Sequence, residues 1–291
     1  MLQRVSRSRL AVPSIRLRRL PVHLTVLVIA AIWLIPVVGL TVSSFRPALS
    51  VATTGWWKSF ALPGDYTLEN YSNALDNNGL GLSLFNSLAA TVPATVLTVT
   101  VAAAAAYGLA CMKFRFRNSV LLLTVGLLIV PIQITLVPLL KIFNSLGLTG
   151  SFLGLWLAHL GYSLPFGIYL LHKFFSQLPR DLFEAAAMDG ASATQVFFQI
   201  VLPVSRPALA SLAIFEFVWN WNDLLTALIF LGGFREVAPM TVTVSNMVAS
   251  RGNGWEVLTA AAVLSMVVPM AMFIAMQKHF VRGMLAGSTT G

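Results

Sequence analysis

The chain has 291 residues, of which 57% are hydrophobic and 10% are charged, and its mean hydropathy is +0.81. Soluble domains carry about a quarter charged residues, so this composition excludes an ordinary soluble fold and indicates a protein surrounded mostly by lipid. The net charge of +9 gives no sign of a nucleic-acid partner, because six arginines crowd the first twenty residues without interleaved aromatic residues. A single cysteine excludes an internal disulfide framework, and no metal-ligand pattern occurs.

Six apolar segments are long enough to cross a hydrocarbon core of ~30 Å, which takes about 20 helical residues. The first is longer than the apolar region of a secretory signal and no A-x-A site follows it, so we interpret it as an uncleaved anchor. The sequence therefore predicts an all-α integral membrane protein with six transmembrane helices. The predicted spans lie near 22–44, 86–110, 119–141, 152–173, 207–232 and 258–279.

The distribution of lysine and arginine predicts the orientation. These residues concentrate in the amino-terminal tail and in the loops after the second and fourth spans, and they are sparse in the other loops. The positive-inside rule then places both termini in the cytoplasm. The predicted division is a basic cytoplasmic tail (1–21), the first transmembrane helix (22–44), an extracytoplasmic loop (45–85), a core of five transmembrane helices (86–280) that includes the loop 178–205, and a cytoplasmic tail (281–291).

The outer loop and the second span each carry a local signal. Trp56 and Trp57 favour either a cap at headgroup level or a docking surface for an external partner, and the residues alone do not decide between them. The second span is built of small residues, which allow helices to approach closely, so we expect it inside the bundle. In the last outer loop, Trp255 and Glu256 are candidates for contact with an external partner.

The loop 178–205 is too polar to cross a membrane. The run "LFEAAAM" favours a helix, Gly190 predicts its end, and Ser192 with Gln195 matches a capping box that begins a second helix. We expect two short, stiff helices around a glycine turn, followed by a stop at Pro203. A face of alanines suits close docking of a partner, although a helix lying under the headgroups is an equal alternative.

The fifth span contains the polar stretch "FEFVWNWNDLLT". Glu216, Asn220 and Asp223 are spaced i, i+4, i+7, which predicts one helix face, with Trp219 beside it. An acid at the centre of a bilayer costs about 2.5–3.5 kcal/mol even on the insertion scale, so this face should point into the bundle or a cavity. Two interpretations stay open. Asparagine, carboxylate and tryptophan side chains are the groups that bind sugars, so these residues line a sugar path, or else they hold this chain to other helices by hydrogen bonds. We interpret the lone His159 of the fourth span as structural.

The stretch "EAAAMDGASATQVFFQIVLP" resembles the EAA loop of binding-protein-dependent ABC importers, whose pattern is E-A-A-x-x-x-G followed by L-P. The stretches "TLENYSNAL", "VWNWNDLLTALIF" and "FVRGMLAGSTTG" are similar to the carbohydrate branch, specifically to the second permease subunit of maltose type (MalG-like). The carboxy-terminal stretch resembles α-glucoside permeases. The loop match covers Glu184, Ala185, Ala186, Asp189, Gly190, Ala191, Leu202 and Pro203.

The resemblance implies a MetI/MalG-like permease fold in a bacterial inner membrane. It implies a second permease subunit, two copies of a cytoplasmic ATPase that bind ATP and Mg, and an extracytoplasmic sugar-binding protein. In the loop, Glu184 would anchor the ATPase, Gly190 would form the turn, and Ala185 and Ala186 would allow close approach. The chain contains no G-x-x-x-x-G-K-[ST] loop, so we expect no catalytic residue and no cofactor on it.

Three alternatives to a sugar importer follow from the same residues. Importers of other solutes share the loop. A proton-coupled secondary carrier would use Glu216 and Asp223 as titrating groups, although it does not account for the capped loop. A membrane scaffold that transports nothing would tolerate loss of the polar face in the fifth span.

Overall fold

The computed structural model describes residues 20–61, 66–77, 79–248 and 254–286, the last nine as helical backbone alone. Across these ranges every regular element is a helix. The predicted amino-terminal tail and the final residues 287–291 lie outside the described part. The main helices are α1 (Leu20–Ser44), α2 (Ala48–Thr53), α3 (Glu69–Ser72), α4 (Leu80–Cys111), α5 (Arg117–Leu127), α6 (Ile132–Ser145), α7 (Phe152–Phe175), α8 (Arg180–Met188), α9 (Ala193–Val204), α10 (Arg206–Asn222), α11 (Leu225–Leu231), α12 (Met240–Val248) and α13 (Trp255–Ala286).

Four helices, α1, α4, α7 and α13, are each long and apolar enough to cross a membrane. Two more crossings result only if the bent pairs α5–α6 and α9–α10 each count as one span. The last helix continues to Ala286, past the predicted end of the sixth span at 279.

The third and fifth predicted spans are each broken into two helices, α5–α6 and α10–α11. Helices α5 and α6 meet at 105°; Pro131 precedes α6 and disfavours helical backbone in the residue before it, which ends α5. Helix α10 ends at Asn222, because Asp223 has extended backbone with ψ 122°. The chain then turns into α11, which ends at Gly232 with φ +82°.

The predicted outer loop is largely helical, and α4 begins at Leu80 rather than near 86. Buried Arg46 donates to the carbonyl oxygens of Ser50 and Thr54. Asn70 donates to the carbonyls of Ser44 and Arg46, so α3 is tied to the end of α1.

The core lies between α4, α7 and α10, of which α4 and α7 form the most extensive helix pair. Small side chains allow this contact: a Cβ on Gly167 of α7 would lie 2.9 Å from the Cβ of Ala102 on α4 and 3.4 Å from Leu212 Cδ2 on α10. The expectation that the second span lies inside the bundle is therefore confirmed. By contrast, α1 is largely exposed: 6% of its most apolar 18-residue stretch is buried, and the helix packs mainly against α13.

Polar side chains of α4 fix the segment before α12. Asn86 Nδ2 donates to the carbonyls of Glu236 and Ala238, at 3.0 and 3.2 Å. The backbone N–H of Met240 donates to Ser87 Oγ at 2.8 Å. These bonds attach the start of α12 to one end of α4.

Candidate functional site

The loop between α7 and α10 has the predicted local structure. Helix α8 ends at a turn in which Gly190 has φ +71°, and the N–H of Ala191 donates to the carbonyl of Ala186 at 2.9 Å. Ser192 and Gln195 form the predicted capping box at the start of α9. One detail differs. Pro203 lies inside α9, which continues to Val204.

The inner side of this loop is packed against the core. Ala186, Val196 and Val201 are buried in one cluster with residues of α4, α7 and α10. Tyr107 Oη, near the end of α4, donates to the carbonyl of Ala193 at 2.9 Å, and its ring lies 5.0 Å from the ring of Phe197. The loop is therefore a stiff extension of the helix bundle.

The outer side of the loop is open. Glu184, Ala185, Asp189 and Gly190 are exposed. Met188 has 89% of its surface exposed, an unusual amount for a large apolar side chain. Of the other predicted loop residues, Ala191, Leu202 and Pro203 are half-buried, while Ala186 faces the core and offers no surface to a partner.

The polar residues predicted to share one face of the fifth span lie in different surroundings. Glu216 is 1% exposed and accepts a hydrogen bond from Ser163, while its Oε2 atom has no partner among the residues described. Asn220 is buried and its Nδ2 donates to Thr95 Oγ1 of α4 at 3.4 Å. The side chains of these two residues are buried inside the bundle, as expected.

Asp223 does not belong to that face, because α10 has already ended; here the prediction was wrong. Its carboxylate accepts hydrogen bonds from the N–H groups of Thr226 and Ala227, at 3.3 and 3.0 Å, and so caps α11. His159 Nε2 lies 3.8 Å from Asp223 Oδ2 and is buried. Both residues therefore act as structural groups in this arrangement, and the structural interpretation of His159 is supported.

A cleft of about 180 Å³ opens beside Glu216. One wall is aromatic: Phe215 and Trp219 of α10 stack with their ring centres 6.2 Å apart and planes at 17°, and Phe166 of α7 lies 4.6 Å from Phe215. Phe215 and Trp219 are 43% and 50% exposed. Tyr162 and Ser163 also line the cleft, together with Ile132.

The sequence analysis did not single out Tyr162, Ser163 and Phe166. Their one available signal was a tyrosine and a serine shortly before Pro165 in a largely apolar span. Elsewhere, exposed Trp255 and half-buried Glu256 line, together with residues of α2, a second cavity of about 360 Å³. Within the described ranges, no group of three or more His, Cys, Asp and Glu residues could hold a metal ion.

Comparisons with known proteins agree on one family. The family model for the binding-protein-dependent transport system inner membrane component matches residues 97–286. The osmoprotective compounds uptake permease protein GgtD of Synechocystis sp. is 50% identical over 93% of this chain and 92% of its own length. The α-glucoside transport system permease protein AglG of Rhizobium meliloti is 47% identical over 79% of this chain and 62% of its own length.

Solved structures show the same fold. A chain of a bacterial ABC transporter involved in the import of the acidic polysaccharide alginate superposes with a TM-score of 0.76, over 94% of this chain and all of that chain, at 21% identity. A second match, at a TM-score of 0.67 and 14% identity, comes from the alginate transporter in complex with a periplasmic protein that holds an alginate pentasaccharide.

Proposed function

Since the chain belongs to the family of binding-protein-dependent transport system inner membrane components, we propose that it is a non-catalytic permease subunit of an ATP-driven importer for a di- or oligosaccharide. The names of its relatives support a sugar as the transported solute: they refer to α-glucosides, diacetylchitobiose, arabinooligosaccharides, and melibiose, raffinose and stachyose. The permease of Rhizobium meliloti, 47% identical to this chain, is named for α-glucosides and favours a sugar of that kind.

The topology that we propose counts the bent pair α5–α6 as one crossing and α10 with α11 as another, which together with α1, α4, α7 and α13 gives six spans in a bacterial inner membrane. Both termini and the loop 178–205 then lie in the cytoplasm. The clustered arginines of the amino-terminal tail support this orientation through the positive-inside rule.

The loop 178–205 is proposed as the docking site for a separate ATPase that binds ATP and Mg. The observation that carries this assignment is its two-sided construction: one side is packed into the α4–α7–α10 core, and the other presents Glu184, Ala185 and Met188 to solvent. A displacement imposed on such a stiff extension reaches the membrane helices without being absorbed in the loop. The complete importer would hold a second permease subunit, two ATPase copies and an extracytoplasmic binding protein.

The path for the sugar is proposed to run beside Glu216 and Trp219, with Asn220 behind them. Asp223 is assigned a structural role, because both its carboxylate oxygens accept bonds from the first turn of α11. This engagement also disfavours the secondary-carrier alternative, which requires Asp223 as a free titrating group.

Reversal of one charge tests the ATPase docking site. The chain is co-expressed with its second permease subunit and its ATPase, and the complex is purified through a tag on this chain. Glu184→Lys should leave the chain in the membrane, since Glu184 is exposed, yet it should lose the co-purifying ATPase and ATP-dependent sugar uptake. Glu236→Lys, also exposed, serves as the control and should retain both. Normal ATPase recovery with Glu184→Lys would refute the assignment of Glu184.

A further inference from the structure

The cleft between α6, α7 and α10 carries an inference about which sugars pass. Resting on the proposed function, we propose that this cleft is a binding subsite for one uncharged sugar ring, and that Glu216 makes it select neutral rings over uronate rings.

The aromatic wall suits the apolar face of a sugar ring. Phe215 and Trp219 are stacked and about half exposed, and Phe166 extends the same surface from α7. Small-molecule sites are mostly apolar and aromatic, with a few polar groups that fix orientation. The C–H face of a pyranose supplies the flat apolar surface that such a wall accepts.

The polar group at this wall is a carboxylate whose second oxygen is unpaired. Glu216 is 1% exposed, one interaction comes from Ser163, and Oε2 has no donor within the described residues. A buried acceptor without a donor is destabilising. Glu216 is one of the residues that line the cleft, so a sugar hydroxyl that reaches its Oε2 atom can donate to it. Tyr162 and Ser163 of α7 also line the cleft and add hydroxyl groups.

The charge of the lining sets the selectivity. The residues that line the cleft include no lysine, arginine or histidine, and Glu216 is their single ionisable acid. An ionised sugar carboxylate in this space would lose its hydration with no cation to offset its charge, and it would meet a like charge whenever Glu216 is ionised. Neutral hydroxyl groups meet no such penalty.

The size of the cleft indicates one ring. Its volume of about 180 Å³ is below the roughly 300–1,000 Å³ typical of pockets that enclose drug-sized ligands. A longer saccharide would therefore place one ring here and its remaining rings elsewhere along the path.

The test measures sugar binding to the complete complex of both permease subunits and ATPase in nanodiscs, without binding protein. A tritiated neutral α-linked glucose disaccharide is the probe, and the unlabelled disaccharide competes with its analogue oxidised to a uronate. For the wild type, the neutral sugar should compete at least about tenfold better than the uronate, the ratio that corresponds to 1.4 kcal/mol. Glu216→Gln, which keeps the size and removes the charge, should bring the two competitors to within about threefold of each other.

Further variants separate the contribution of the aromatic wall from that of the Glu216 carboxyl group. Trp219→Leu should weaken both competitors about equally while leaving their ratio unchanged, because it removes the stacking surface and not the charge. The controls are Trp33→Leu, a tryptophan 76% exposed on α1, and Glu236→Gln; both should behave as the wild type. Recovery of the ATPase with each variant verifies folding and assembly.

Each outcome has a distinct meaning. Equal competition by the two sugars in the wild type, or an unchanged preference in Glu216→Gln, overturns the charge selection while the importer assignment stands. A labelled sugar that binds wild type and Trp219→Leu with the same affinity overturns the subsite at the aromatic wall. A wild-type complex that couples to the ATPase but binds neither sugar refutes the sugar assignment, and the subsite with it.

Discussion

The glycine turn of the loop 178–205 provides a quantitative test of the proposed contact with the ATPase. Gly190 has φ +71°, and a Cβ at this position would meet no atom of the chain within 4 Å. Any cost of Gly190→Ala within this chain is therefore a backbone cost. For an ordinary L-residue the left-handed conformation costs about 1–2 kcal/mol, whereas asparagine tolerates it better through local hydrogen bonds.

This energy converts into a binding change if the ATPase accepts only the native turn. A cost of about 1–2 kcal/mol corresponds to a factor of about 5–30 in the population of the competent conformation. We expect Gly190→Ala to weaken ATPase binding by that factor and Gly190→Asn by much less. The matched control is Gly126→Ala in α5, where a Cβ also meets nothing within 4 Å and φ is not positive; it should bind as the wild type does.

The assay titrates purified ATPase onto the permease complex in nanodiscs and records the equilibrium dissociation constant, with stimulated ATP hydrolysis as a second readout. Wild-type affinity in Gly190→Ala would show that the ATPase does not require this turn. Equal losses in Gly190→Ala and Gly190→Asn would show that the ATPase surface excludes any side chain there, which would refute the argument from φ.

Two further predictions concern stability. Gly167→Ala should lower the free energy of unfolding by about 1–3 kcal/mol, because the added methyl group overpacks against Ala102. Adding Ala102→Gly in the same chain should restore part of this loss. Thermal unfolding in detergent measures both variants, and no recovery in the double variant would contradict the close contact. Asp223→Ala should lower the free energy of unfolding by about 0.5–2 kcal/mol through loss of the α11 cap, and Asp223→Asn should lower it by less. The affinity for sugar in nanodiscs should stay unchanged in both variants. A variant with the wild-type melting temperature but a weaker affinity for sugar would instead place Asp223 in the path.

The sequence predicted the local structure of the loop 178–205 well because its signals are local. The glycine turn and the capping box each depend on residues within a few positions of one another, so pattern and structure agree at Gly190 and Ser192. The inward orientation of Ala186 was not predictable in the same way, because it depends on packing against distant helices.

The broken spans were missed for a physical reason. Membrane helices tolerate proline when neighbours satisfy the freed backbone groups, so Pro131 did not by itself predict a bend of 105°. The end of α10 has neither proline nor glycine; the chain turns where Asp223 begins to cap the next helix. Hydropathy cannot register such a break, since apolar residues continue on both sides. The cleft was also invisible, because it forms only when α7 meets α10.

The hydrogen bonds made by α4 have a consequence for sequence change. At one end Tyr107 bonds the carbonyl of Ala193, and at the other Asn86 bonds the carbonyls of Glu236 and Ala238. In each case α4 supplies the side chain and the attached segment supplies only its backbone. The attached segments can therefore exchange side chains over evolutionary time to match a different ATPase or a different external partner, while α4 keeps them in place. Substitution should be tolerated far more readily at Ala193 and Glu236 than at Tyr107 and Asn86.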